Sequence, residues 1–191
     1  MPQFVAYKAF RDDPGANPLE TPSGKIEIFS KRLWEMNGSW EFPEGDAIYA
    51  LPVYEKTWEG PDDFTGMKKY PFQLIGHHFK GRTHSSYGDI PWLMQVAPQQ
   101  LWMNDMDAAK RGIKHGEMVK VFNARGVVHV QVKVTPRIMP GVLSLPQGSW
   151  YRPDKDGVDK GACINTLTKT HPTPLAKGNP QHTNLVDVAP I

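Results

Sequence analysis

The sequence predicts a mainly β protein: a closed barrel of six short strands with short helices, preceded by an irregular N-terminal arm. Three observations carry this. After Tyr70, six apolar segments of strand length follow one another, bounded by Gly, Pro and Asn. Only one helical pattern stands between them, and the connections are too short for repeated parallel crossovers with helices. Residues 1–69 sustain no periodicity, so they are expected to form an interdomain arm or linker, and residues 70–191 the barrel domain.

In the arm, residues 1–20 are polar and broken by proline. In "TPSGKIEIFSKRLWEM" Ile26 and Ile28 alternate with Lys25 and Glu27, and Leu33, Trp34 and Met36 then outline a short helix. Residues 37–69 are crowded with turn signals, Pro43, Pro52 and Pro61 among them. The rings of Trp34, Trp40, Tyr49, Tyr54 and Trp58 need something to pack against, either the chain's own core or a neighbour.

The barrel strands come next. "YPFQLIG" and "QQLWMN" are short apolar strands, and "EMVKVFN" and "VVHVQVKV" are joined across "NARG", where Gly126 is expected to take the positive φ of a bulged hairpin. Val128, Val130, Val132 and Val134 alternate with His129, Gln131 and Lys133, so one face is buried and one wet. "NDMDAAKRGIKHGE" reads as a helix capped by Asn104 or Asp105 and stopped by Gly112. "PGVLSLP" and "TNLVDV" complete the set.

Composition excludes several classes. Lys and Arg number 22 against 20 Asp and Glu, and a net charge of +2 is too small for a general nucleic-acid binder. Any anion site must be local. The single Cys163 rules out an internal disulfide and any Cys-x-x-Cys site for zinc or an iron–sulfur cluster. No run of about 18 apolar residues exists, and the first residues show no hydrophobic signal region or twin arginine, so direct membrane insertion is not expected.

The most informative stretch is "YPFQLIGHHFKGRTHSS", a strand opening into a loop rich in Gly, His, Arg and hydroxyls. Gly76 to Thr83 nearly matches a phosphate-binding P-loop, with Arg82 in place of the lysine. Such a loop must run straight into a helix, whereas Gly88 and Pro91 follow here, and a guanidinium fork does not replace an ammonium. The donors of His77, His78, Lys80, Arg82, Thr83, His84, Ser85 and Ser86 still suit an anion. A metal is disfavoured, because His77 and His78 point apart in an extended chain and only Asp89 could add a carboxylate. No G-x-S-x-G elbow supports a hydrolase, and Cys163 and the methionines read as apolar filler.

The order "YPFQLIGHHFKGRTHSSYGDIPWL", "DAAKRGIKHGEMVKVFNARGVVHVQVKVTPRIMPGVLSLPQGSWY", "GACINTLT" and "HPTPLAKGNPQHTNLVDV" resembles the C-terminal molybdopterin-dinucleotide-binding domain of the dimethyl sulfoxide reductase family of molybdenum oxidoreductases. The likeness is strongest to the anaerobic dimethyl sulfoxide reductase catalytic subunits and their paralogues, and runs from Thr21 to the end. It implies a six-stranded double-psi β-barrel that clamps molybdopterin guanine dinucleotide, whose molybdenum is bound through dithiolenes. By the family pattern Gly76, His77, Arg82, His84 and Ser85 line the cofactor, Gln147 and Trp150 approach it, Asn165 contacts a pterin, and Gln181 with His182 lies in the closing segment.

The resemblance also implies what the chain lacks. An iron–sulfur cluster and a ligand to molybdenum are expected in upstream catalytic domains of the same polypeptide, so no reductase activity is expected of this chain alone. Its implied partners are those domains, an iron–sulfur electron-transfer subunit and a membrane-anchor subunit. The parent is expected to be a bacterial enzyme of anaerobic respiration that reduces an S-oxide or N-oxide, periplasmic or peripheral on the cytoplasmic membrane. Two other readings stand beside this one: a stand-alone double-psi barrel serving protein interaction, and a P-loop-like nucleotide binder.

Overall fold

A computed structural model of the chain describes residues 3–37, 39–179 and 182–191. The described residues fall into two compact units, Met1–Glu55 and Lys56–Ile191. In the first, α1 (Lys8–Asp12) and α2 (Lys31–Asn37) are short, and α2 is the helix that Leu33, Trp34 and Met36 predict. The alternation of Ile26 and Ile28 produces no strand, and both side chains are exposed. The arm's rings at Trp34, Trp40, Tyr49 and Tyr54 are also exposed.

The second unit holds the barrel. After α3 (Phe64–Lys69) come β1 (Phe72–His77), α4 (Pro91–Val96), β2 (Gln100–Met103), α5 (Asp105–Arg111), β3 (Met118–Phe122), β4 (Val127–Val134), β5 (Val142–Pro146) and β6 (Asn184–Pro190). The strands close in the order β1-β5-β2-β4-β3-β6, which is the mainly β, six-stranded class expected. Alternation puts one face of each strand inside: Leu74, Leu101, Met103, Val119, Val121, Val128, Val132, Leu143 and Leu145 are fully buried. Val134, at the end of β4, is only partly so.

Two strand pairs, β1 with β5 and β2 with β4, are parallel. Short loops exclude parallel pairing only between consecutive strands. Here each parallel partner is reached through other elements, α5 and β3 in the case of β2 and β4. α5 is built as its sequence indicates. Asn104 caps it by accepting from Met106 N at 2.9 Å, and Gly112 ends it in the left-handed region at φ 65°. Its buried Asp107 accepts from Gly141 N at 2.6 Å and so ties the helix to the start of β5.

No helix follows the loop after β1 directly, as expected, and Pro91 opens α4 at its first turn, a position where the missing N–H costs nothing. Two local expectations are corrected. α3 forms inside the turn-rich stretch because Asp63 accepts from Gly66 N at 2.8 Å. Gly126 is not among the positive-φ glycines. The turn closes through Asn123, whose side chain accepts from Arg125 N at 2.9 Å, and Gly126 is needed for space, since a Cβ there would stand 2.9 Å from Thr166 O.

Candidate functional site

The parallel register of β1 and β5 sets His77 beside Pro146, so residues 78–90 and 147–152 leave the barrel side by side. Gln147 N donates to His77 O at 3.0 Å. Arg82 then turns its fork inward: Nη2 donates to Gln147 O at 3.0 Å and to Gln99 Oε1 at 2.6 Å, and Nε reaches the same carbonyl at 3.3 Å. Trp150 Nε1 donates to Ser85 O at 2.7 Å, and Arg152 Nη2 to Gly88 O at 3.4 Å. At Gly148 (φ 85°) a Cβ would lie 1.8 Å from His84 O, so only glycine allows this approach.

A second wall is formed by residues 159–166, which end in a single 3₁₀ turn, Ile164–Thr166. Lys160 N donates to Arg152 O at 2.9 Å, and Gly161 sits so close to Trp150 O that a Cβ would fall 1.8 Å from it. Segment 147–152 is thus clasped between the loop after β1 and this wall.

Three hollows follow the clasp. One of about 610 Å³ is lined by His84, Ser85, Gln147, Trp150, Cys163 and Asn165, among others. It shares Ser149 and Trp150 with a hollow of about 210 Å³ bearing Arg82, Arg152, Lys160 and His129. It shares Asn165 with a third of about 380 Å³ bearing Lys169, His171 and Lys177. In a chain of 22 cationic and 20 acidic residues, none of the described residues lining the three is Asp or Glu. Lys160 is partly neutralised by Asp154 at 3.2 Å. The set suits an elongated anion with flat ring systems: amides and hydroxyls for ring edges, an indole for ring faces, cations for phosphate oxygens. It does not suit a P-loop, since residues 78–90 contain no helix.

The family model for the molydopterin dinucleotide binding domain matches residues 72–185. The chain belongs to this family. The molydopterin dinucleotide binding domain described here is 56% identical over 187 residues to "Dimethyl sulfoxide reductase DmsA" of Escherichia coli (strain K12), covering 98% of the chain and 23% of that protein. "Putative dimethyl sulfoxide reductase chain YnfE" of the same organism is 55% identical over 190 residues, covering 98% of the chain and 23% of that protein. "Trimethylamine-N-oxide reductase 1", also from Escherichia coli (strain K12), is 38% identical over 194 residues, covering 97% and 22%. The chain therefore spans under a quarter of the length of these curated relatives. Acetylene hydratase from Pelobacter acetylenicus shares the fold, with a TM-score of 0.71 and 20% identity over 94% of the chain and 25% of that protein.

Within this molydopterin dinucleotide binding domain the expected residues divide into groups. His84, Ser85, Gln147, Trp150 and Asn165 meet around the hollow of about 610 Å³. Arg82 borders the neighbouring one, with its fork committed to the backbone and to Gln99. Gly76 and His182 meet each other at the β1 edge, where Gly76 N donates to His182 Nδ1 at 3.2 Å. His77 lines none of the three hollows; its Nδ1 lies 2.6 Å from Ser144 Oγ and its ring 5.3 Å from that of Trp102. Gln181 lies outside the described residues.

Burial, then the charges of Arg82 and Lys133, lower the His77 pKa and favour its neutral form. Burial also pushes the Cys163 thiol up, which suits a lining group better than a nucleophile. Two residues escape sequence reasoning. Gln99 supports Arg82 and donates to Pro146 O at 2.8 Å and Ala162 O at 3.1 Å. Asp159 is wholly buried beneath the second wall. Gln99 belongs to no local motif, because its partners lie 17 to 63 residues away, and the partners of the Asp159 side chain, though near in sequence, sit in irregular segments without a recognisable pattern.

Proposed function

We propose that the domain clamps the guanine-bearing form of the dinucleotide, with the phosphates along the cationic, carboxylate-free hollows and the flat rings beside Trp150, Gln147 and Asn165. The single observation that carries this is a row of three hollows that share lining residues and have no Asp or Glu among the described residues that line them. In this reading His84 and Ser85 present the loop to the ligand and Arg82 holds that loop against Gln147. Gly76, His77 and His182 support it from the β1 side, with Gln181 next to them in the chain. The boundary expected after residue 69 is moved in this reading to precede Lys56, supported by the pairing of Glu59 with Arg125 and its acceptance from Leu185 N at 2.8 Å.

The relatives' names extend the proposal to the parent enzyme: reduction of an S-oxide such as dimethyl sulfoxide, or of an N-oxide, in a bacterial respiratory complex at or near the cytoplasmic membrane. Molybdenum held by two pterin dithiolenes would supply the oxygen-atom transfer. Upstream domains would bring the metal ligand, an iron–sulfur cluster and the substrate site, and separate subunits the electron transfer and membrane anchorage. The residues described here contribute binding and orientation.

The test is a nitrogen–proton correlation spectrum of the labelled chain titrated with GDP and, separately, with magnesium ATP. GDP is expected to shift resonances of His84, Ser85, Trp150 and Asn165 together. Magnesium-dependent shifts with ATP confined to Gly76 to Thr83, and none with GDP, would overturn the clamp.

A further inference from the structure

We infer that Asp159 is the positioning residue of the site: one buried carboxylate that sets the spacing of the two walls between which the ligand would lie. The inference deepens the clamp reading and rests on it for its binding consequence. Asp159 is 0% exposed, and its backbone is fastened to β4, with Asp159 N donating to Val127 O at 3.0 Å and His129 N donating to Asp159 O at 2.9 Å. Its side chain is therefore held on the rigid barrel. Oδ1 accepts from Arg152 N and from Gly161 N, both at 2.8 Å. Oδ2 accepts from Cys163 N at 2.7 Å and Thr166 Oγ1 at 3.1 Å.

Those four donors come from both sides of the groove. Arg152 follows Trp150 on the clasped segment, while Cys163 and Thr166 flank the turn that presents Asn165. Both segments are irregular, so their N–H groups have no ladder to satisfy them, and a buried unsatisfied donor is costly. Burying a carboxylate is costly too, and an apolar side chain would fill a core more simply. Only an acceptor with two oxygens can take all four donors at once. An amide cannot: in Asp159→Asn one oxygen becomes an N–H2 donor facing donors. Thr166 could rotate its hydroxyl, but the backbone N–H groups have no such freedom.

The experiment compares the wild-type chain with Asp159→Asn, with Thr166→Val, which removes one donor and leaves the carboxylate, and with Val121→Ala, a core change in β3 remote from the walls. Amide hydrogen exchange and GDP titration are measured for each at a temperature where all are folded. Asp159→Asn is expected to speed exchange at Arg152, Gly161 and Cys163 while β1 to β6 stay protected, and to weaken GDP binding about tenfold or more. Thr166→Val should do the same in smaller measure, and Val121→Ala should lower the unfolding temperature without changing GDP affinity. If Asp159→Asn fails to fold, Thr166→Val carries both readouts. Unchanged exchange in the walls, or affinity that merely follows stability across all variants, would overturn the inference. Absence of GDP binding by the wild type would strike the clamp reading instead, and the exchange comparison would still decide whether Asp159 holds the walls.

Discussion

At the residue scale, much of the site depends on which way a polar side chain turns. His77 and Arg82 leave the same strand end, yet Arg82 reaches inward to the backbone of 147, while His77 lies against Ser144 and Trp102. The His77 pKa is lowered from 6.5, so the native state binds fewer protons at this ring than the unfolded chain does. Stability from this group is present above pH 6.5 and lost as pH falls from there through the lowered native value. His77→Gln is therefore expected to flatten the decline of stability on acidification below about pH 6.5. Urea unfolding at a series of pH values checks this, and an equally steep decline in the variant would refute it.

At the scale of elements, the short helices are set by caps more than by propensity. α5 has only seven residues, too few to be stable alone, and depends on Asn104 and Gly112 at its ends. Asn104 serves twice, because Nδ2 also donates to Ile138 O at 2.7 Å ahead of β5. Asn104→Ala is expected to cost about 2 kcal/mol, about 1 for the cap and about 1 for the half-buried Ile138 carbonyl left unpaired. The unfolding midpoint in urea measures it, and a loss under about 0.5 kcal/mol would mean that packing alone holds the helix.

At the scale of the whole molecule, near-neutrality hides a local field. A net charge of +2 gives no general attraction for polyanions, but Arg82, Arg152, Lys160, Lys169 and Lys177 all border hollows without carboxylates. Binding of GDP is expected to weaken roughly threefold or more between about 0.05 and 0.3 M salt, as screening shortens the reach of these charges. Titration calorimetry at the two ionic strengths would show it, and a salt-independent affinity would mean that ring contacts dominate.

The sequence by itself determined the barrel's strands and the capped helix, and it marked the loop after β1 by its donors. Each of these rests on a local rule: alternation at period two, a cap residue, or a crowding of donors within ten positions. His84 and Ser85 stand among the loop's crowd of donors, but Gln147, Trp150 and Asn165 were legible only by resemblance to a family, since nothing local says that the five meet. Tertiary structure alone decided what brings them together. The parallel pairing of β1 with β5, in which Gly76 faces Leu145 69 residues further on, sets two distant segments in register. The roles of Gln99 and Gly126 depend on partners far along the chain, Ala162 for Gln99 and Thr166 for Gly126, and Asp159 is held in place by backbone bonds to Val127 and His129. A single sequence displays which groups can donate and accept, but burial and long-range closure select the pairs that form.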